Sequence, residues 1–125
     1  MKRPAILLVD DDQNILNLFQ MFLREEGYTV ETASTQEEAL SMVKAVKFDL
    51  VILDLILEET RGDWLALELY EIDGDLCFLF LTGFSSPDIN LESLPIKICA
   101  ILTKPISLED LGASVLEALP RESED

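Results

Sequence analysis

Short apolar runs alternate along the chain with stretches whose apolar residues recur every three or four positions. Ala5 to Val9, Tyr28 to Thr32, Asp49 to Leu53, Leu76 to Leu81 and Ile98 to Leu102 read as strands. Four of these runs are nearly continuous in apolar residues, as a sheet covered on both faces requires. Between them, Ile15, Leu18, Phe19, Phe22 and Leu23 keep a helical stripe that Gly27 ends. Ser34 with Glu37 forms a capping box ahead of Ala39, Leu40 and Val43, and Ser107 with Asp110 makes a similar start for Leu111, Val115 and Leu119. Gly62 opens a stripe of Leu65, Leu69 and Ile72, which leaves Trp64 and Leu67 toward the outer side as half-covered residues or a docking patch. Ser86-Pro87 suggests a further helix start, but Pro95 limits that segment to about two turns. The pattern is β-α repeated five times, which predicts a doubly wound α/β fold around a parallel sheet.

In such sheets the ligand site lies beyond the carboxyl ends of the strands, where the strand order reverses. The residues there are Asp10, Asp11 and Asp12 after the first strand, Asp54 ending the third, Thr82 after the fourth and Lys104 after the fifth. Two carboxylates ~4 Å apart repel by roughly 1 kcal/mol in water and about 4 at an effective dielectric of 20. The triple therefore calls for a cation, or for side chains that diverge. Asp12, at the head of a helix, suits an N-cap. Clustered carboxylates suit Mg²⁺, which completes its shell with water and phosphate oxygens, and a lysine and a hydroxyl opposite can hold the remaining phosphate oxygens. The set reads as a phosphoryl-transfer site with a carboxylate nucleophile.

These marks, in order and at these strand ends, resemble the receiver domains of two-component response regulators over Pro4 to Leu119. The resemblance implies a five-stranded flavodoxin-like (βα)5 fold of strand order 2-1-3-4-5. It implies phosphorylation at Asp54, with Mg²⁺ held by Asp10, Asp11, Asp54 and the carbonyl of Ile56. Thr82 and Lys104 would grip the phosphoryl group, and the Lys104-Pro105 bond would be cis. Ile56 and Phe84 would flank the hydrolytic water and prolong the phosphoryl lifetime. The implied donor is a sensor histidine kinase or phosphotransfer protein; output would go to a downstream protein or appended domain, across a face that also serves homodimerisation. The chain departs from the family at Ile101, where a switching Tyr or Phe is usual, at Glu58, where proline is common, and in the short segment before Pro95. Two other readings use the same residues: a haloacid-dehalogenase-like phosphohydrolase with Asp10 as nucleophile and Asp12 as acid, and a receiver that only binds.

Length and charge fit this picture. The 125 residues, 49% hydrophobic, suit a single domain over 1–125 with a short acidic tail at 120–125. No apolar run approaches the ~20 residues of a membrane span, and the cytoplasm is the expected setting. With 25 acidic against 9 basic residues, the charge of −16 argues against direct binding to nucleic acid or anionic membrane. Cys77 and Cys99 fit no metal or redox spacing and read as core thiols.

Overall fold

The computed structural model describes residues 3–83 and 89–119. Five strands, β1 (Ala5–Val9), β2 (Thr29–Ala33), β3 (Leu50–Asp54), β4 (Cys77–Thr82) and β5 (Lys97–Thr103), form one parallel sheet of order β2-β1-β3-β4-β5. The helices are α1 (Gln13–Glu25), α2 (Gln36–Ala45), α3 (Gly62–Ile72) and α4 (Leu108–Ala118). Between β4 and β5 the described residues contain only a 3-10 turn at Leu91–Ser93. The helix start predicted at Ser86-Pro87 lies outside the described residues. Leu94 is already extended, as a residue before proline is biased to be.

Alternate strand residues feed two cores. Leu7, Val9, Val51, Leu53, Phe78 and Phe80 pack on one face against Ala39 and Val43 of α2 and Leu65 and Leu69 of α3. Ile6, Leu8, Leu50, Ile52, Leu79 and Leu81 pack on the other against Leu16, Phe19 and Leu23 of α1 and Leu111 and Val115 of α4. The α1 stripe differs from prediction: Leu16 is buried while Leu18 is exposed, because Ile15, Leu16, Leu18 and Phe19 allow two phases of the helix. Ile72, predicted to be inside, is exposed at the end of α3.

Caps fix the helix starts. Asp12 accepts from the amides of Asn14 (2.9 Å) and Ile15 (3.4 Å), and Ser107 accepts from Asp110 (3.0 Å), both as predicted. The cap of α2 is Thr35, one residue later than predicted; its hydroxyl accepts from the Glu38 amide, while Ser34 donates to the Glu38 carboxylate. Gly27, at φ 104°, takes the left-handed conformation that ends α1. On the edge strand β2 the carbonyl of Val30 accepts from Gln20 Nε2 (3.1 Å) and an Arg24 guanidinium nitrogen (3.0 Å).

The cysteines are a correction. A register shift between Phe78 and Leu79 leaves Cys99 without a register partner on β4, at an exposed position of the edge strand β5. Cys77 is half-buried and packs at the margin of the second core, whereas Cys99 is exposed and is no core thiol; both are free. Local desolvation, reinforced by the adjoining Cys77, pushes the Cys99 thiol up to about 12, which keeps it protonated at neutral pH.

Candidate functional site

The chain leaves β1 toward β2 on one side and β3 lies on the other, so β1 and β3 flank the point where the strand order reverses. Val9 pairs with Leu53, which puts Asp10 and Asp54 one step further along, side by side. Both are almost fully buried, at 2% and 6% exposure. The Lys104 ammonium lies between them, 2.5 Å from Asp54 Oδ2 and 3.3 Å from Asp10 Oδ2. Thr82 stands half-buried at the end of β4, and its carbonyl accepts from the Lys104 amide at 2.6 Å. The Lys104-Pro105 bond is cis, as predicted.

The electrostatics follow from this arrangement. Burial pushes the Asp10 carboxyl up and Asp54 adds to the rise, more than the Asp12 amide and Lys104 take away. Burial works to lower the pKa of Lys104, yet its bonds to Asp54 and Asp10 outweigh that and hold it above the ordinary lysine value. Lys104 is therefore a firmly charged ammonium at neutral pH.

Each of the three carboxylates has one oxygen tied to a backbone amide. Asp10 Oδ1 accepts from Asp12 (2.9 Å) and Asp54 Oδ1 from Ile56 (2.9 Å), both two residues on. Asp11 is exposed, and its Oδ2 accepts from Glu58, 47 residues away, at 2.8 Å. Among the described residues no three acidic side chains converge into a ready cage. Mg²⁺ does not need one, since it binds through one or two carboxylates and keeps several waters. Asp10 and Asp54 already share a single positive nitrogen within 3.3 Å, so the donor set fits a shared cation. Binding only the folded state should stabilise it by mass action. Mg²⁺ is thus expected to raise the melting temperature, and Asp11→Asn to remove most of that gain while Asp12→Asn keeps it, as thermal melts with and without the ion would show.

Of the remaining sequence-predicted residues, Ile56 is exposed beside Asp54, Ile101 is half-exposed on β5, and Phe84 lies outside the described residues. Trp64 is exposed with the Arg61 guanidinium 4.7 Å from its ring centre, and Leu67 is half-buried. Asp12 has its carboxylate engaged in the α1 cap, which disfavours it as the acid of a phosphohydrolase. Sequence reasoning missed the Glu58 amide and the Arg61–Asp63 fork, whose nitrogens lie 2.8 and 3.1 Å from a carboxylate that is 6% exposed. A backbone donor leaves no side-chain signal, and the fork resembles an ordinary surface pair.

The model of the response regulator receiver domain matches residues 6–116. The transcriptional regulatory protein GlrR of Escherichia coli is 34% identical over 118 residues, 94% of this chain. The chain spans about a quarter (27%) of that relative's length. Response regulator protein TrrA of Thermotoga maritima, solved in complex with Mg(2+)-BeF, superposes with a TM-score of 0.79 at 33% identity, covering 93% of this chain and 99% of that one. A response regulator protein of Burkholderia pseudomallei, solved with a phosphorylated aspartic acid, calcium ion and citrate, gives 0.77 at 28% identity over 89% of this chain and 65% of that one.

Proposed function

The chain belongs to the response regulator receiver domain family, and from that membership we propose that Asp54 is its phosphoacceptor. A receiver is a two-component signalling domain rather than a turnover enzyme. The donor is a sensor histidine kinase or phosphotransfer protein in the cytoplasm. A carboxylate oxygen of Asp54 attacks phosphorus as the P–N bond to the donor histidine breaks, and the electron pair returns to the imidazole. The observation that carries this reading is the Lys104 ammonium shared by Asp54 and Asp10. It holds the nucleophile in place and supplies positive charge where phosphate oxygens arrive.

Mg²⁺, held by Asp10, Asp11, Asp54 and the Ile56 carbonyl, would offset the repulsion between two anions. A groove of about 440 Å³ beside Lys104, lined in part by Ile15, Leu18, Phe19, Pro105 and Ile106, offers the donor protein an apolar approach. Once formed, the aspartyl phosphate draws Thr82 and Lys104 toward it and alters the surface offered to a downstream protein, an appended output domain or a second copy of the chain. With Ile101 in place of a ring, that signal passes through an aliphatic side chain. Ile56, apolar beside the acceptor, is assigned with Phe84 to hindering the hydrolytic water. Among the described residues no helix is long and apolar enough to cross a membrane.

Titration with beryllofluoride, which mimics a phosphoryl group, tests the reading. In amide NMR spectra, shifts at Thr82, Gly83 and Lys104 are expected only when Mg²⁺ is also present. Unchanged spectra would leave a receiver used purely for binding.

A further inference from the structure

Asp11 differs from its two neighbours in the site. Asp10 and Asp54 are each tied by an amide two residues along their own turn, whereas the amide on Asp11 comes across the site from Glu58. That amide is presented by a loop with bonds of its own. Ile56 and Arg61 form an antiparallel bridge, the Leu57 amide donates to Thr60 (3.2 Å), and the Gly62 amide donates to Leu55 (2.7 Å). We propose that the backbone amide of Glu58 is a positioning group for Asp11, setting its carboxylate for the metal and coupling the order of the loop between β3 and α3 to metal binding. The inference rests on the phosphoacceptor reading, which supplies the metal.

The physical basis is the cost of ordering an exposed side chain. A free aspartate at the surface must give up its rotamer freedom to bind an ion, whereas one already held through Oδ2 has paid that cost and keeps Oδ1 for the cation. A hydrogen bond to a charged acceptor is strong enough to hold such a rotamer. Coupling is reciprocal: if the amide aids the metal, the metal must in turn strengthen the hold on the amide.

Proline at position 58 would remove the N–H, while alanine keeps it and removes only the side chain. Magnesium binding by calorimetry is expected to be about fivefold weaker in Glu58→Pro than in Glu58→Ala, which stays within about twofold of the parent. Because proline could distort the loop, amide exchange supplies a second measurement without metal. In the otherwise unsubstituted protein, Asp11→Ala is expected to speed exchange of the Glu58 amide by about tenfold, with amides of β3 unaffected. Equal affinities for the two Glu58 variants, or an exchange rate insensitive to Asp11, overturn the inference and leave the phosphoacceptor reading intact. A parent protein that binds no Mg²⁺ overturns both, even if the amide proves protected.

Discussion

Replacing Asp54 with asparagine is expected to cut phosphoryl uptake from acetyl phosphate to below about 1% of the parent rate, because the nucleophilic oxygen is gone while the surrounding structure persists. Asparagine is nearly isosteric and can still accept from the Ile56 amide, so the local turn should survive. What disappears is the charge that Lys104 faces at 2.5 Å. Lys104 is then left with Asp10, 3.3 Å away, as its neighbouring anion in the site. Intact-mass spectrometry after incubation with acetyl phosphate and Mg²⁺ reads the result directly, and peptide mapping locates the label. Uptake that persists in Asp54→Asn and maps to Asp10 would instead support the phosphohydrolase-like reading.

The largest structural effect is expected at Gly62. A methyl group there would run into the Asp54 carbonyl oxygen and come within 2.7 Å of the Leu55 Cα. Both are backbone atoms, held by the bonds from Leu55 N to Leu81 O and from Gly62 N to Leu55 O, so neither can swing aside as a side chain would. Gly62 does not have a positive φ; it is glycine for space, to let the first turn of α3 sit against the end of β3. Gly62→Ala is expected to destabilise by about 3 kcal/mol, at the high end for overpacking. For a domain of this size that is a fall in melting temperature of roughly 10 °C. The strain falls on the peptide between Asp54 and Leu55, so Mg²⁺ affinity should drop too. A melting point within a few degrees of the parent would mean that β3 yields more easily than its hydrogen bonds suggest.

How far the sequence reveals the molecule depends on whether a feature has a side-chain signature. The four central residues, Asp10, Asp54, Thr82 and Lys104, were legible because each is a polar residue interrupting an apolar strand at the same end. Asp12 and Ser107 were legible as caps for similar reasons. The α2 cap was misplaced by one because Ser34 and Thr35 are adjacent hydroxyls, and only packing selects between them. Leu18 was placed in the α1 stripe and Leu16 left out, the reverse of their burial, since helical periodicity leaves the phase open when four of five residues are apolar. Cys99 looked like core because it stands in an apolar run, which does not reveal that β5 is an edge strand with every second residue exposed. The role of Gly62 in admitting the Asp54 carbonyl was out of reach, because the contact joins two backbones.

The side-chain bonds onto Val30 cover part of one border of the sheet. Neighbouring amides and carbonyls of β2, at Thr29 and Ala33, turn inward to β1, so the Val30 carbonyl is one that faces away from the sheet. A bare carbonyl on a border strand is a template on which a foreign strand can grow. Here Gln20 and Arg24 reach from α1 to occupy it. Those two residues thus leave a foreign strand one acceptor fewer along β2, in a chain rich in apolar strands.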